Sequence, residues 1–198
     1  MVYGGPIDAL TGDWLAELTM LILSRIQAKV PGGGYARTFV TQMEDVMGEC
    51  LDKKIKVVTN AGGLNPEGCA GAVQEVADRL GLNPSIAYVA GDDLTPRLVD
   101  LMESGNEFAH LDTSEPLGEL ADRIVTANAY IGCWGIVEAL NQGADIVVTG
   151  RATDAAVVAG PAAWHHGWQR DDWNALAGAI VAGHVIECGG QATGGNYS

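Results

Sequence analysis

The sequence predicts an α/β fold, a three-layer sandwich built on a mainly parallel sheet, with a partial β/α barrel as the alternative. Three short apolar runs, 55–60, 85–91 and 144–150, are rich in β-branched residues and end in glycine or asparagine. Their nearly continuous hydrophobicity is typical of strands buried on both faces, as in parallel sheets. Residues 7–10 predict a shorter first strand, and segments with a helical period separate the runs.

The helical segments show apolar stripes and recognisable ends. In 67–82 the apolar side chains fall on one stripe, and Gly81 stands where a C-terminal cap belongs. Asn65-Pro66 and Thr95-Pro96 each place a capping side chain before a proline suited to the first helical position. Further helices are predicted at about 12–29, 36–53, 95–104, 116–126, 133–142, 154–166 and 172–188.

Composition limits the classes of partner. A chain of 198 residues that is 47% hydrophobic can form one sizeable core, so we expect a single domain over 1–198. A net charge of −14 argues against nucleic acid and anionic membrane partners, because both bind basic surfaces. No window approaches about 18 uninterrupted apolar residues. The four cysteines are far apart with no Cys-x-x-Cys pair, which favours reduced thiols and a cytoplasmic location.

Three predicted strands lead into helices through short loops, at 60–65, 91–95 and 150–154. In an open parallel sheet these loops share the carboxyl edge, where ligands bind. Asn60, Gly62 and Gly63 resemble a loop that holds an anion at a helix N-terminus, but a plain strand-to-helix turn explains them equally. No G-x-G-x-x-G or G-x-x-x-x-G-K-[ST] pattern is present, so no nucleotide fingerprint is claimed.

Two acidic residues in the second loop are candidate ligands for a divalent metal. Asp92 and Asp93 offer the carboxylate oxygens that hard cations prefer. The alternative is that the dipole of the following helix favours acidic residues at its start.

Arg151 directly follows the glycine that ends the last apolar run, in a chain with few arginines. Its planar fork suits a carboxylate or phosphate of a substrate. An internal salt bridge to Asp154, Asp92 or Asp93 is the alternative.

His184 and Cys188 stand four residues apart, a spacing that suits zinc or a Cys-His pair. Both fall on the apolar stripe of the predicted last helix, so buried packing is the expected role. Glu187 flanks that stripe just before Gly189-Gly190 and is a candidate for acid/base work.

Five runs together resemble the acyclic terpene utilisation family, AtuA-like, in order and over nearly the whole chain. They are LTGDWLAELTM (10–20), VTNAGGLNP (58–66), TANAYIGCWGIVEAL (126–140), GADIVVTGRATDAA (143–156) and GHVIECGGQATGGNYS (183–198). The resemblance implies a link to degradation of citronellol and geraniol through acyl-CoA intermediates. The motif positions that it marks are Asn60, Gly62, Gly63, Asn128, Gly150, Arg151, Asp154, Glu187 and Gln191.

Family members usually begin with a glycine-rich segment before the LTGD run and continue beyond GGNYS. We therefore expect this chain to be a fragment or truncated homologue, incomplete at both ends. Sheet edges left open in this way predict self-association into a homo-oligomer.

The expected function is a catabolic enzyme domain that acts on a small carboxylate or acyl-CoA thioester, with lyase or hydratase chemistry. The glycine-rich loop and Arg151 would hold the anionic group or carbonyl oxygen, and Asp92, Asp154 or Glu187 would move a proton. Two alternatives stand beside it: a hydrolase with a divalent metal, and a non-catalytic subunit or ligand-binding module of an acyl-CoA complex.

Overall fold

The structure, a computed structural model, describes residues 1–193 apart from the side chains of Glu119 and Thr193. The end of the last quoted run, 194–198, lies outside the described residues. Four strands and seven α-helices follow one another along the described chain. In chain order they are β1 (Ala9–Gly12), α1 (Glu17–Gln27), α2 (Arg37–Asp52), β2 (Lys56–Thr59), α3 (Pro66–Leu80), β3 (Ile86–Val89), α4 (Leu98–Glu103), α5 (Trp134–Asn141), β4 (Ile146–Thr149), α6 (Ala156–His166) and α7 (Trp173–Cys188).

The strands form one parallel sheet in the order β1-β2-β4-β3, so β1 and β3 are its edges in the described chain. Val57 of β2 pairs with Leu10 of β1 on one side and with Ile146 of β4 on the other. The three apolar runs and the first strand are confirmed, and β1 begins two residues later than the predicted 7–10. Every strand therefore points its carboxyl end toward the same edge, which we call the carboxyl edge.

Helices cover both faces of the sheet, which confirms the α/β sandwich. Helices α2 and α3 pack on one face, over a core that contains Val57 and Val148. Helices α5 and α6 pack on the other, over Val58 and Val147. Because buried side chains alternate between the two faces, consecutive apolar residues occur along β4 and in the middle of β2, which begins with the partly buried Lys56. Helix α7 lies outside this sandwich, against α6.

Two helix predictions were wrong. The helix expected at 12–29 begins at Glu17, because the N–H groups of Trp14 and Leu15 bond to the side chains of Asn60 and Asp13, and the Leu15 carbonyl accepts from Arg151. The helix expected at 116–126 is a 3-10 helix over Gly118–Arg123. Leu120, its largest apolar side chain, is 52% exposed, so tertiary packing gives little support to a longer α-helix.

The predicted helix ends were right at α3 and wrong at the next helix. The Asn65 side chain accepts a hydrogen bond from the Gly68 N–H at 2.9 Å, and Gly81 adopts the left-handed conformation of a C-terminal cap. Thr95 instead begins a 3-10 helix, Thr95–Arg97, that leads into α4. The carboxylate of Asp93 accepts from the Thr95 N–H at 2.9 Å.

Helix α7 does not bury the predicted stripe, and both His184 and Cys188 are exposed. The helix turns Ala179 and Gly183 inward instead, and a Cβ added to Gly183 would lie 2.9 Å from the Cβ of Ala155. This close approach to α6 fixes the rotation of α7. Several large apolar side chains of α7 therefore face outward: Trp173, Ile180, Val181, Val185 and Ile186.

Within residues 1–193, no helix is both long enough and apolar enough to cross a membrane.

Candidate functional site

The ends of β1 and β2 are tied together at the carboxyl edge. Asn60 follows β2 and is fully buried. Its side-chain oxygen accepts a hydrogen bond from the Trp14 N–H at 2.8 Å, and its amide nitrogen donates to the Asp13 carboxylate. The same Asp13 oxygen accepts from the Leu15 N–H at 3.0 Å. Asn60, predicted to bind a ligand, thus positions the Asp13 carboxylate at the end of β1.

Three carboxylates meet at this position. Asp13, Asp154 and Glu187 each offer one carboxylate oxygen, and these oxygens all lie within 4.8 Å of one another. They come from the loop after β1, the loop after β4 and the last turn of α7. We call them the carboxylate cluster. The structure thus brings together the predicted acid/base residues Asp154 and Glu187, and adds Asp13.

One oxygen of Asp154 is distinctive. Its Oδ1 atom is buried and accepts no hydrogen bond among the described residues. The nearest cation is the guanidinium of Arg151, whose Nη2 lies 3.8 Å away, beyond hydrogen-bonding distance. A buried carboxylate oxygen is normally paired, so this atom is an available acceptor for a ligand, in a side chain that is 40% exposed.

The thiol of Cys188 interacts with the same cluster. It donates a hydrogen bond to the Glu187 carboxylate at 3.0 Å. That bond, together with the negative charges of Glu187, Asp154 and Asp13, raises the pKa of the Cys188 thiol above its usual value. The raised pKa makes Cys188 a poor nucleophile at neutral pH, because the thiolate is the reactive form.

Arg151 is buried, with only 4% of its surface exposed, and protein groups surround its guanidinium. Nη1 donates to the carbonyl of Leu15 at 2.9 Å, and Nη2 donates to the Tyr130 hydroxyl at 2.7 Å and to Glu17 at 3.3 Å. The guanidinium also lies 4.3 Å from the centre of the Tyr130 ring. These contacts connect the loop after β4 to the start of α1.

Glu17 completes this contact from the solvent side. The Tyr130 hydroxyl donates a hydrogen bond to the Glu17 carboxylate. This bond is the largest of the contributions that lower the pKa of Glu17 below its usual value. A hydrogen bond from the backbone of Glu17 and the charge of Arg151 also lower that pKa. The internal ion pair expected as the alternative role of Arg151 is therefore present. Its closer carboxylate partner is Glu17, and Asp154 is farther away.

Asp92 organises the loops after β3 and β4. It is 3% exposed, and its Oδ2 atom accepts from the Arg151 backbone N–H at 2.7 Å and from the Asn128 amide at 3.0 Å. Gly150 packs so tightly on this carboxylate that an added Cβ would lie 2.4 Å from Asp92 Oδ1. Asp92, Asn128 and Gly150 therefore support one another within the protein.

Asp93, the other predicted metal ligand, is exposed and lies two residues before the 3-10 helix Thr95–Arg97, where it accepts from the Thr95 N–H. Among the described residues, the group of acidic side chains close enough to share one ion is the carboxylate cluster. The geometry therefore favours the cluster over Asp92 and Asp93 for a metal.

The glycines of the first loop allow close packing. A Cβ on Gly62 would lie 2.5 Å from the carbonyl oxygen of Thr149. Gly63 has a φ of 53°, and a Cβ there would lie 2.8 Å from the carbonyl oxygen of Gly34. The contacts of both residues support the turn interpretation that the sequence left open.

Gln191, another motif position, is exposed on the 3-10 helix Gly189–Thr193 that follows Glu187.

Sequence reasoning missed Asp13, although it belongs to the LTGDWLAELTM run. The predicted first strand ended at residue 10, and a helix was expected from residue 12. A strand that extends to Gly12 would have placed Asp13 at the carboxyl edge. The signal was therefore available in the position of Asp13 relative to the strand end.

An apolar cavity of about 290 Å³ opens beside Asp13, between β1 and α2. Its volume is close to the lower end of the range for small-molecule sites, roughly 300–1,000 Å³. It is lined by Met1, Leu10, Thr11, Gly12, Asp13, Trp14, Phe39, Gln42, Val57 and Thr59. The carboxyl edge at β1 thus combines an apolar cavity with acidic groups.

Comparison with known proteins tests the family resemblance of the chain. The model of the acyclic terpene utilisation family protein AtuA matches residues 1–198, the whole chain. Searches of curated proteins and of solved structures gave no match. The full-length match agrees with the five runs, which supply residues to the carboxyl edge. The chain belongs to the acyclic terpene utilisation family, AtuA.

Proposed function

We propose that this chain is a catabolic enzyme domain with lyase or hydratase chemistry on an acyl thioester, in which Asp154 and Glu187 move the proton. The observation that carries the proposal is the buried Asp154 oxygen, which lacks a hydrogen bond among the described residues and belongs to a carboxylate that lies close to those of Asp13 and Glu187. Addition or elimination of water next to a carbonyl requires a base for one proton and an acid for another. Neighbouring carboxylates can perform both roles.

An acyl thioester fits the cluster better than a free carboxylate. Two unit charges about 5 Å apart repel by roughly 1 to 3 kcal/mol for effective dielectric constants between that of water and about 20. Three carboxylates lie within 4.8 Å of one another, and Arg151 is held by Leu15, Tyr130 and Glu17. A thioester presents an uncharged carbonyl group to this acidic site, whereas a free carboxylate would be repelled.

This assignment uses only part of the predicted set of catalytic residues. Asp92 already accepts hydrogen bonds from the Arg151 backbone and from Asn128, inside the protein. We assign it to positioning of the loops. The proton-transfer roles go to Asp154 and Glu187, with Asp13 as their neighbour.

A metal-dependent hydrolase is the second candidate, favoured by the spacing of the cluster. Three carboxylate oxygens within 4.8 Å of one another suit a divalent cation that prefers oxygen ligands. In that case Asp13, Asp154 and Glu187 would hold the ion and the ion would polarise the scissile carbonyl. Elemental analysis of the purified protein and thermal shifts with Mg²⁺, Mn²⁺ and Ca²⁺ separate this candidate from the first.

The test of the main proposal follows proton transfer directly. The protein is incubated in D₂O with saturated, unsaturated and 3-hydroxy branched acyl-CoA thioesters, and mass spectrometry follows deuterium incorporation and water addition or loss. We expect Asp154→Asn to lower the rate by about 100-fold or more. Asp171→Asn, which changes an exposed carboxylate outside the site, is the matched control.

The results separate the classes of function. Equal rates for Asp154→Asn and the unchanged protein would remove Asp154 from the mechanism. Thermal stabilisation by thioesters without any turnover would favour the non-catalytic binding module. Turnover that depends on added divalent ion and releases free acid would favour the hydrolase.

A further inference from the structure

We propose that the side of β1 that faces away from β2, which we call the open side of β1, is a docking site for an extended segment of a partner protein. The segment has apolar side chains in its middle and basic residues at its ends, and it adds a fifth strand to the sheet. This inference goes beyond the proposed function, because it names a macromolecular partner and needs no chemical step.

Backbone groups on the open side of β1 lack partners. The Asp8 carbonyl accepts a backbone hydrogen bond from the first residue of β2 at 3.0 Å. Parallel pairing that continues from this bond directs the backbone groups of Leu10 and Gly12 toward β2, and those of Ala9 and Thr11 away from it. Among the described residues, no hydrogen bond satisfies these outward groups. A strand edge of this kind is a template for pairing with another chain.

Two cavities flank β1, one on each face of the sheet. The cavity of about 290 Å³ lies on the α2 face, where Leu10 is part of its lining. A second cavity, of about 250 Å³, lies on the α6 face, and its lining includes Ala9, Thr11, Val158, Pro161 and Ile186. Successive side chains of a strand point to opposite faces. A segment paired with β1 would therefore direct alternate apolar side chains toward the two cavities.

Charge selects the ends of the segment. Asp8 stands directly before β1 and is exposed, and Asp13 stands directly after it. Asp13 also belongs to the carboxylate cluster with Asp154 and Glu187. A lysine or arginine at each end of a four-residue apolar segment would meet a carboxylate in either strand direction.

A second copy of the chain is a poorer occupant of this side. Antiparallel pairing of two β1 strands would bring Asp8 of one copy opposite Asp13 of the other, at both ends of the pair. Like charges directly opposite each other across two strands are destabilising. Each chain also carries a net charge of −14, so the charge favours a basic partner.

The test measures the binding of blocked six-residue peptides to the full chain by isothermal titration calorimetry. Lys-Val-Leu-Val-Leu-Lys has both proposed features, Glu-Val-Leu-Val-Leu-Glu reverses the charge, and Lys-Ser-Thr-Ser-Thr-Lys removes the apolar side chains. We expect the first peptide to bind about tenfold or more tightly than either of the others. Methylation of one alternate set of its backbone nitrogens should weaken binding, and methylation of the other set should not, because only one side of an extended strand faces β1.

Proline substitutions test pairing on the protein side. Thr11→Pro removes an outward N–H of β1 and should weaken binding of the first peptide by about tenfold or more. Tyr88→Pro is the matched control on the opposite edge of the sheet, because the carbonyl of its neighbour Val89 bonds to the residue after β4 and Tyr88 is directed outward. Proline is tolerated on edge strands where its nitrogen faces outward, and circular dichroism checks that both variants fold.

A second pair of variants tests the cavity and leaves the strand unchanged. Gln42 is an exposed residue of α2 that lines the cavity of about 290 Å³, and Thr41 is its exposed neighbour outside the lining. Gln42→Trp should weaken binding of the first peptide about tenfold, whereas Thr41→Trp should leave it unchanged.

Several results would overturn the proposal: equal affinity for the charge-reversed or the serine-threonine peptide, or unchanged affinity in Thr11→Pro and Gln42→Trp. Dimerisation that Thr11→Pro abolishes, without peptide binding, would assign the open side of β1 to a second copy and would equally overturn it. Peptide binding is measured without any thioester, so its result is independent of the deuterium-exchange test of the proposed function.

Discussion

Replacing Arg151 with methionine should lower the free energy of unfolding by about 3 to 4 kcal/mol, because its guanidinium connects three segments that are far apart in the chain. It bonds to the Leu15 carbonyl, stacks on the Tyr130 ring and pairs with Glu17. Methionine fills similar space and keeps apolar contacts, so the change isolates the charged group. The sequence alone left open whether Arg151 binds a substrate anion or forms an internal salt bridge; the contacts in the structure predict that Arg151 stabilises the fold.

The magnitude follows from the separate contacts. The charged hydrogen bond to the carbonyl of buried Leu15 contributes about 2 to 3 kcal/mol, since that carbonyl would lose its partner. The hydrogen bond and the ring contact with half-exposed Tyr130 add about 1 kcal/mol. The ion pair with Glu17 adds little, because the Glu17 side chain is 80% exposed.

Urea unfolding followed by tryptophan fluorescence measures this difference, with an unchanged dependence on urea as the sign of two-state behaviour. Arg170→Met is the matched control, because Arg170 is exposed and contacts the Trp134 ring at 4.9 Å. Its effect should stay below about 1 kcal/mol. A loss below about 1 kcal/mol for Arg151→Met, together with weakened thioester binding, would refute the structural role and restore the anion-binding role.

Three further predictions concern other parts of the chain. Burial acts to raise the pKa of Asp145, but hydrogen bonds from Lys56 and a backbone N–H, with the Lys56 charge, lower it overall. Lys56→Met should therefore lower the free energy of unfolding by about 1 kcal/mol at neutral pH. In an acid titration of unfolding, this difference should begin to fall below the unfolded pKa of about 3.9 and vanish only below the lower pKa of the folded state. Glu187→Gln should speed the alkylation of Cys188 by iodoacetamide about threefold or more, because Glu187 raises the pKa of that thiol. Peptide mass spectrometry measures the rate of alkylation, and an unchanged rate would contradict the contact between Glu187 and Cys188. Sedimentation velocity should show concentration-dependent self-association through the outer face of α7, which carries exposed apolar side chains. Two chains of net charge −14 can meet there with the least repulsion. Val181→Asp should abolish the association, and a monomer at every concentration would reject this interface.

The sequence predicted the core of the fold because its strands are hydrophobic along their whole length. A run such as 144–150 can satisfy that pattern only between two helical layers, and β4 lies there. The failures lie where tertiary contacts override local pattern. Helix α1 begins late because the Trp14 N–H and the Leu15 carbonyl bond to other loops, and the rotation of α7 depends on a glycine that contacts the N-cap of α6. Neither cause is visible in a local window.

The candidate site was predictable to the extent that strand ends were located correctly. Asp154 and Glu187 were named because they follow a strand and flank a helix stripe, and the structure brings them together. The helical stripe itself was misplaced, so Glu187 was chosen for a partly wrong reason. Asp13 was missed because the first strand ends two residues beyond its predicted bound. The partners of Arg151 in α1 lie 134 or more residues away, which no local pattern reveals.

Polar groups at the β3 end of the carboxyl edge are hydrogen-bonded to one another, whereas one buried oxygen near β1 has no such partner among the described residues. This difference is why we place the proposed chemistry near β1. Around β3 and β4, the Asp92 carboxylate, the Asn128 amide and the Arg151 backbone satisfy one another, and Gly150 closes the space between them. Near β1, the edge instead has a buried Asp154 oxygen without a hydrogen bond among the described residues, and a cavity that Asp13 helps to line. A ligand gains most where polar groups and apolar surface still lack partners. The β1 end therefore combines an apolar cavity with the two carboxylates that we propose to move protons, and the contacts at the β3 end hold the neighbouring loops in place.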